Sequence, residues 1–444
     1  MVRNYLLEKI FFPILDTFFS TNFISELENW RNNIHRLSKP ELENLQQQRL
    51  QQLLDHATTN IPYYKNLKIG LTDKPYDDIK QFPILYKSTV KANYRNLYVG
   101  DRSKMVAERS SGSSGIQGEV LMSKKEHTQY QATQTSIWEW NGFKIGSPML
   151  QTGITPNRGP LKTIKDWLFK TQYVSAYNIS PQNAKANLLK AKRNGVLYFG
   201  GFAASLNVYA EVALKEGIAI KLIGVMAWGD KLFDSYKNNI NKAFGTPIIT
   251  ELYGTAEGFV ISGSCSKGKH HIITPQTYIE ILDKDGIRVK DGELGFVVVT
   301  RLDALEFPLI RYYLGDLAVK EDPSVTCTCG RNYPMLQKII GRDTDIIETP
   351  GGRYLVVQFF VGFLEHFHEI QQFSVIQRGL EGIEIEFIAS ATYYPDVLEK
   401  INEVMFKRAE EVFPVQWTQV DFIKPTASGK PQIIQNFIAK KLSV

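Results

Sequence analysis

Residues 110–118 read Ser-Ser-Gly-Ser-Ser-Gly-Ile-Gln-Gly. Small side chains let a backbone come close to a polyphosphate, and its amides, with the serine hydroxyls, can bind phosphate oxygens. Taken alone, a Ser/Gly run is more often a flexible loop. It is not a Walker A loop, because neither Lys-Ser nor Lys-Thr follows the last glycine. A second reactive set is sparser. The chain has three cysteines: Cys265, with His271 six residues on, and the CxC pair of Cys327-Thr328-Cys329-Gly330. A Cys/His pair plus a CxC pair supplies four ligands for tetrahedral Zn²⁺, with His270 as the alternative to His271. The plainer reading is buried thiols acting as small hydrophobes. The confinement of every cysteine to these two places argues for metal. Four protein ligands leave no open position, so the zinc would be structural.

Four more short stretches follow the Ser/Gly loop in order. They are Tyr253-Gly254-Thr255-Ala256-Glu257, Pro308-Leu309-Ile310-Arg311-Tyr312-Tyr313-Leu314-Gly315-Asp316, Gly341-Arg342-Asp343-Thr344-Asp345 and Ser428-Gly429-Lys430. Together they resemble the TSGSTG loop, YGxxE, PLIRYRTGD, GRxDD hinge and C-terminal SGK of the adenylate-forming superfamily of acyl-CoA synthetases. Motifs in the right order over residues 40–440 are far more specific than any one alone. Asn60-Ile61-Pro62-Tyr63-Tyr64 and Gly200-Gly201-Phe202-Ala203-Ala204-Ser205-Leu206 are similar to segments of the phenylacetate–CoA ligase branch and its relatives in capsular-polysaccharide gene clusters.

The resemblance implies activation of a carboxylate by ATP to acyl-AMP, with release of pyrophosphate, then acyl transfer. Two anions must meet in the first step, so the protein has to neutralise charge and hold an in-line geometry. By resemblance Ser111, Gly112, Ser113, Ser114 and Gly115 hold the β,γ-phosphates. Glu257, beside Gly254 and Thr255 in the same motif, helps bind Mg²⁺, a hard cation that takes oxygen ligands. Asp316 accepts hydrogen bonds from the ribose hydroxyls, and Arg342 reaches the ribose or phosphate region. Gly229, Asp230 and Tyr253 flank the adenine. Lys430, on a Gly-flanked loop, carries an ammonium to the carboxylate and the α-phosphate. A small C-terminal domain is expected to rotate between the half-reactions.

Several positions depart from the family pattern. Tyr313 and Leu314 stand where Arg and Thr are usual, Thr344 falls at the hinge, and Gln117 replaces the proline of the phosphate loop. The hinge change leaves the acceptor open between the thiol of CoA and an amine, such as one on a sugar or sugar nucleotide. Adenylation of a deazaflavin coenzyme is a third outcome. The same departures motivate a contrasting reading, a nucleotide-binding pseudoenzyme or scaffold. Retention of Glu257, Asp316 and Lys430 argues against it.

The elements that must position these residues follow from the apolar pattern. With 444 residues the chain exceeds one hydrophobic core. An α/β architecture is expected: an N-terminal AMP-binding domain over 1–342, then a small mobile α+β domain over 343–444. Within the first, residues 26–69 belong to a helical segment of about 1–70, ended by Ile61-Pro62. Apolar runs at Gly195–Phe199, Ala219–Ala227 and Pro247–Thr250 predict buried parallel strands joined by helices. Tyr278–Leu282 and Gly295–Thr300, with the Asp285-Gly286 turn between, predict an antiparallel β-rich subdomain over about 276–340. Beyond the hinge, strands at Phe373–Ile376 and Ile383–Ile388, a helix over Val397–Val412 and a C-terminal helix are expected.

Composition bounds the partners. Hydrophobic residues are 43% and charged residues 22%, as in an ordinary globular protein. The net charge of +6 is small for this length and unclustered, which argues against nucleic acid. Few cysteines and no visible secretory signal predict a reducing, cytoplasmic setting. Leu7, Phe11, Ile14 and Phe18 recur at helical spacing, so that face is expected to pack on the body. The sharper alternative is a weak peripheral contact with a membrane surface.

Overall fold

Short apolar runs alternating with helices between 100 and 340 form one 11-stranded sheet. The computed structural model describes residues 2–19, 21–109, 119–153, 159–176, 179–245, 247–342, 346–351, 353–364, 366–424 and 433–438. In chain order its strands begin with an antiparallel pair, β1 (Val106–Arg109) and β2 (Glu119–Met122), in register from Val106↔Met122 to Arg109↔Glu119. The Ser/Gly run joins them and lies outside the described residues. There follow β3 (Met149–Gly153), β4 (Thr171–Ser175), β5 (Tyr198–Phe202), β6 (Gly224–Trp228) and β7 (Ile248–Gly254). Then come β8 (Val260–Ser264), β9 (His270–Ile272), β10 (Thr277–Leu282), β11 (Leu294–Arg301), β12 (Tyr312–Lys320) and β13 (Met335–Arg342). Their spatial order is β10-β11-β12-β13-β9-β8-β7-β6-β5-β3-β4.

The β4-to-β7 half is parallel. Its strands are short and apolar because helices cover them: Phe199, Val225, Met226 and Ala227 are essentially buried. The connecting helices are Pro181–Arg193, Ala203–Lys215 and Asp234–Phe244. Each strand runs past the stretch read from sequence, as Tyr198–Phe202, Gly224–Trp228 and Ile248–Gly254. Ala219–Ile223, apolar but short of the sheet, is irregular linker. From β7 to β13 the pairings of this sheet are antiparallel, including β10–β11 at Tyr278↔Thr300. These strands continue the main sheet through β9 and β8. They surround a core that includes Ile261, Ile272, Ile279, Val297, Leu309 and Leu336.

The N-terminal region holds two long helices, not one. Phe23–Asn32 ends before a 3-10 turn at Ile34–Arg36, and Lys39–Asn60 restarts on a Ser38/Glu41 capping box. Pro62 then opens a short helix, Pro62–Lys65, at a position where its missing N–H costs nothing. Ahead of these, residues 2–19 are helical with a π-type turn at Leu7–Phe11. That turn adds one residue and rotates the face. Leu7 is buried and Phe12 packs on Phe23 and Phe169, while Ile14 and Phe18 are 61% and 78% exposed. The stripe expected from a regular helix therefore holds only at its N-terminal end.

Beyond the main sheet, β14 (Ile346–Glu348) pairs with β15 (Tyr354–Val356). A four-stranded sheet combines β16 (Ile370–Gln377), β17 (Ile383–Ala389), β18 (Val415–Gln419) and β19 (Ile434–Asn436) in the order β18-β17-β16-β19. It shares a core with helices Val357–Leu364 and Val397–Ala409. Residues 433–438 carry β19, because Ile434 enters the parallel ladder beside Val375, while 425–432 and 439–444, where the expected C-terminal helix could fall, lie outside the described residues. No helix among the described residues is long and apolar enough to cross a membrane.

Candidate functional site

Two motif segments from distant strands of the sheet meet. The Tyr253 hydroxyl, at the end of β7, donates to Asp316 Oδ2 on β12 at 2.7 Å. In a flat sheet, four inter-strand steps of about 4.8 Å would hold β7 and β12 about 19 Å apart. The contact therefore requires the curl. Asp316 is buried and is the cross-strand partner of Arg342 on β13 in backbone register. Four residues along, the Tyr312 hydroxyl lies 3.3 Å from Glu257 Oε1, and its ring stacks on Phe259. Gly254 is a glycine for a steric reason: a Cβ there would lie 2.4 Å from the Phe259 carbonyl oxygen. Thr255 Oγ1 is buried, and no partner reaches it among the described residues. A buried hydroxyl of this kind fits an absent acceptor such as a phosphate.

The PLIR segment is braced from two sides. The Tyr64 hydroxyl donates to the Pro308 carbonyl at 2.8 Å and accepts from the Ile310 N–H at 3.2 Å. Arg311, in the left-handed region at φ 51°, makes a two-pronged ion pair with Glu280, both contacts at 3.1 Å, and donates to the Phe82 carbonyl. Burial raises the Glu280 pKa against the pull of Arg311. Removing one partner of such a pair costs about 3–5 kcal/mol, because the other is left charged and dry. These contacts hold Tyr312 and Asp316 in place.

Gly229 follows β6 at φ 80°, and a Cβ would lie 2.5 Å from the Phe202 ring. Its neighbour Asp230 accepts from the Ala203 and Ala204 N–H groups at the start of helix Ala203–Lys215. Lys231 then reaches across to donate to the Ile340 carbonyl of β13 at 2.7 Å. The Gly-Asp-Lys turn is thereby tied to the strand that ends at Arg342.

On another edge, Cys265, His271, Cys327 and Cys329 place one ligand atom each within 4.8 Å of one another. Cys265 and His271 flank the tight β8–β9 turn, where Gly268 sits at φ 72°. Gly330, at φ 80°, closes the Cys327 turn through its N–H to the Cys327 carbonyl. The Sγ atoms of Cys265 and Cys327 are 3.7 Å apart, and Cys329 Sγ is 3.2 Å from His271 Nε2. Zinc–sulfur bonds of about 2.3 Å at tetrahedral angles give S···S separations of about 3.8 Å, so the set fits zinc. His271 belongs to it and His270 does not. Strand alternation turns His270 to the opposite face, beside Ser262 and Glu251. Burial, with Arg331 and His270 adding repulsion, lowers His271 to about 4, which keeps its imidazole neutral as a ligand must be. Burial also pushes Cys327 up to about 11. Burial acts in the same sense on Cys329, but the Arg331 N–H and the neighbouring thiols outweigh it and lower that thiol.

No family model matches the chain. A phenylacetate–coenzyme A ligase from Thermus thermophilus is 20% identical over 408 residues, covering 84% of this chain and 87% of that protein. A crystal structure of 2-hydroxyisobutyryl-CoA ligase, in the postadenylation state with an acyl adenylate, superposes with a TM-score of 0.70. It has 16% identity and covers 91% of both chains. ATP-bound MatB from Rhodopseudomonas palustris gives a TM-score of 0.53 at 12% identity, over 73% of this chain and 66% of that one. The chain therefore shares the fold of these ligase structures.

Within the adenylate-forming pattern, two departures have a packing reason. Tyr313 sits between Tyr86 and Phe296, and Leu314 is buried in the main core. Both residues fill apolar space. Ser111, Gly112, Ser113, Ser114 and Gly115 lie outside the described residues, as do Gln117, Asp343, Thr344 and Lys430. Sequence reasoning missed Tyr64, Glu280, Tyr312 and Lys231. Tyr64 and Tyr312 lie inside motif stretches. Nothing local marks Glu280 or Lys231, because their partners are 31 and 109 residues away.

Proposed function

We propose that this chain activates a carboxylic acid with ATP, releases pyrophosphate, and transfers the acyl group from acyl-AMP to an acceptor. The observation that carries the reading is the Tyr253–Asp316 hydrogen bond with Glu257 and Tyr312 beside it. It gathers two of the family's motifs at one place. Asp316 takes the ribose hydroxyls, with Tyr253 orienting its carboxylate. Tyr253 and Gly229 flank the adenine, and Asp230 holds the Gly229 turn against its helix. Thr255 Oγ1 and the 111–115 loop contact phosphate oxygens. Glu257, held by Tyr312, offers a carboxylate oxygen suited to Mg²⁺, which neutralises phosphate charge when bound. Lys430 brings an ammonium to the carboxylate and α-phosphate. Residues 343–444 act as the mobile lid that carries it, with Arg342 at the junction.

The acceptor we favour is the thiol of CoA. The Thermus thermophilus relative is named for a CoA thioester, and so is the 2-hydroxyisobutyryl enzyme. An amine acceptor, and with it a part in polysaccharide biosynthesis, rests on the sequence resemblance alone. The Cys-His corner holds structural zinc, which joins the β8–β9 turn to the 322–334 loop.

The test is pyrophosphate release with ATP, Mg²⁺ and a panel of aryl, fatty, amino and uronic acids, each with and without CoA. Release dependent on one carboxylate is the expected result, and a further rise with CoA identifies the thiol. ATP binding without release for any acid would instead support the scaffold reading.

A further inference from the structure

Arg301 ends β11 and is only 1% exposed. A guanidinium buried to this degree has no solvent for its donors, so the protein has to supply the partners. Nε donates to Asp303 Oδ1 at 2.7 Å, and Gln276 donates to the other oxygen of that carboxylate at 3.0 Å. Nη1 donates to Met122 Sδ at 2.9 Å, and Nη2 to the Glu126 carbonyl at 3.1 Å. Met122 is the last residue of β2, the strand that follows the Ser/Gly run. Glu126 lies in the first turn of helix Lys124–Trp138.

Backbone from another motif covers the guanidinium. Gly258 has a φ of 87°, and a Cβ there would lie 2.4 Å from Arg301 Nη1 and 2.9 Å from Met122 Cε. The 255–258 turn therefore rests directly on the cation. Two bonds close this turn: the Thr255 N–H to the Phe259 carbonyl at 3.0 Å, and the Gly258 N–H to the Thr255 carbonyl at 3.1 Å. Glu257 lies within it, beside the buried Thr255 Oγ1 that lacks a partner among the described residues. One buried side chain thus spaces the end of β2 from the turn that carries Glu257. An apolar side chain of similar volume would fill the same space with no charge to desolvate, but it has no directed bonds with which to set that spacing.

We propose, on the reading of Glu257 as a ligand of Mg²⁺, that Arg301 is the positioning residue for that carboxylate. Its planar fork, anchored by Asp303, supports the Gly258 turn over the end of β2. Glu257 is then held ready for the metal-bound polyphosphate. Lysine offers one ammonium where the fork bonds in three directions, so it is a poor substitute here.

The experiment is calorimetric titration of ATP into the full chain, once with Mg²⁺ and once with EDTA. Binding requires no turnover, so neither the acid nor the acceptor enters the readout. Glu257→Gln should remove most of the affinity that Mg²⁺ adds. Arg301→Lys keeps a charge beside Asp303, so folding should survive, as a thermal melt would show. It should lower ATP affinity in Mg²⁺ by about tenfold and leave affinity in EDTA unchanged. The double variant should lose no more than Glu257→Gln alone, because Arg301 acts through Glu257. If Arg301→Lys does not fold, Gly258→Ala disturbs the same contact from the turn side and is read in the same way. Three results would each overturn the positioning role: unchanged affinity in Mg²⁺, an equal loss in Mg²⁺ and EDTA, or losses that add in the double variant. The second and third are what a general loss of packing would give. A separate outcome bears on the reading beneath it. If Mg²⁺ adds nothing to the parent chain, or Glu257→Gln leaves that gain intact, the role of Glu257 falls and that of Arg301 falls with it.

Discussion

Tyr253 and Asp316 are 63 residues apart and meet through a single hydrogen bond across a curled sheet. Cys265 and Cys327 are 62 apart, and His271 and Cys329 are 58 apart. The chain separations are nearly equal, yet the means of assembly differ. The Cys-His corner is built by neighbours: β9 pairs with β13 at Met335↔His271, and two glycine turns aim the thiols inward. The Tyr253–Asp316 constellation joins strands that are not neighbours, and needs the sheet's curvature with a ring of braces behind it. Tyr64, Glu280 and Arg311 supply those braces. A ligand cluster between adjacent turns is a local solution. A substrate site spread over a curved sheet depends on buried packing and on ion pairs several residues behind it.

Four experiments would break or sharpen this contrast. The largest effect should come from Lys430→Ala, which removes the ammonium proposed to act at the reacting phosphate. Adenylation should fall by roughly a hundred- to a thousandfold, with ATP binding nearly intact. Unchanged adenylation in single-turnover assays would remove Lys430 from the chemistry. Next is Cys329→Ser. Zinc measured by mass spectrometry should drop from near stoichiometric to background, and the melting temperature should fall by several degrees. The KM for ATP should change little if the corner is structural, as proposed. Coupled loss of ATP affinity would mean that the two regions are one unit.

A smaller change should follow Tyr253→Phe, which deletes one hydrogen bond to a carboxylate. A loss of about 1.5 kcal/mol, close to tenfold in KM for ATP, is expected, with kcat held. A fall in kcat alone would place Tyr253 in the chemical step. The last concerns His35, between the Cys-His corner and the N-terminal helices, where it contacts Trp30, Trp140 and Tyr333. Burial, with Arg331 nearby, lowers its pKa to about 3. Its folded pKa lies below the unfolded one, so the stability it contributes is whole above pH 6.5. That contribution is lost as pH falls toward 3, at no more than about 1.4 kcal/mol per pH unit. Urea unfolding of His35→Gln at pH 7 and pH 5 should show a shallower loss than the parent chain; equal slopes would count against this.

Legibility varied from residue to residue. Strands such as β10 and β11 were readable because buried β-branched runs bounded by a turn have few alternatives. The phase of the N-terminal helix was not readable, because a π-turn shifts the face by one residue and leaves no mark in the apolar pattern. The short strand at Ile434 was not readable, since three residues of ladder are decided by the partner Val375. Tyr313 and Leu314 looked like damage to a motif, and their contacts show that they are packing residues.

The sequence alone determined the motif order, the α/β class and the three thiols of the Cys-His corner, because these rest on residue chemistry and spacing along the chain. The tertiary structure decided which histidine joins the thiols. It also decided which side chains brace Asp316, and which face of the N-terminal helix meets solvent. Each of these depends on the direction a side chain takes once strands pair and helices pack, and that direction is set by partners far away in the chain.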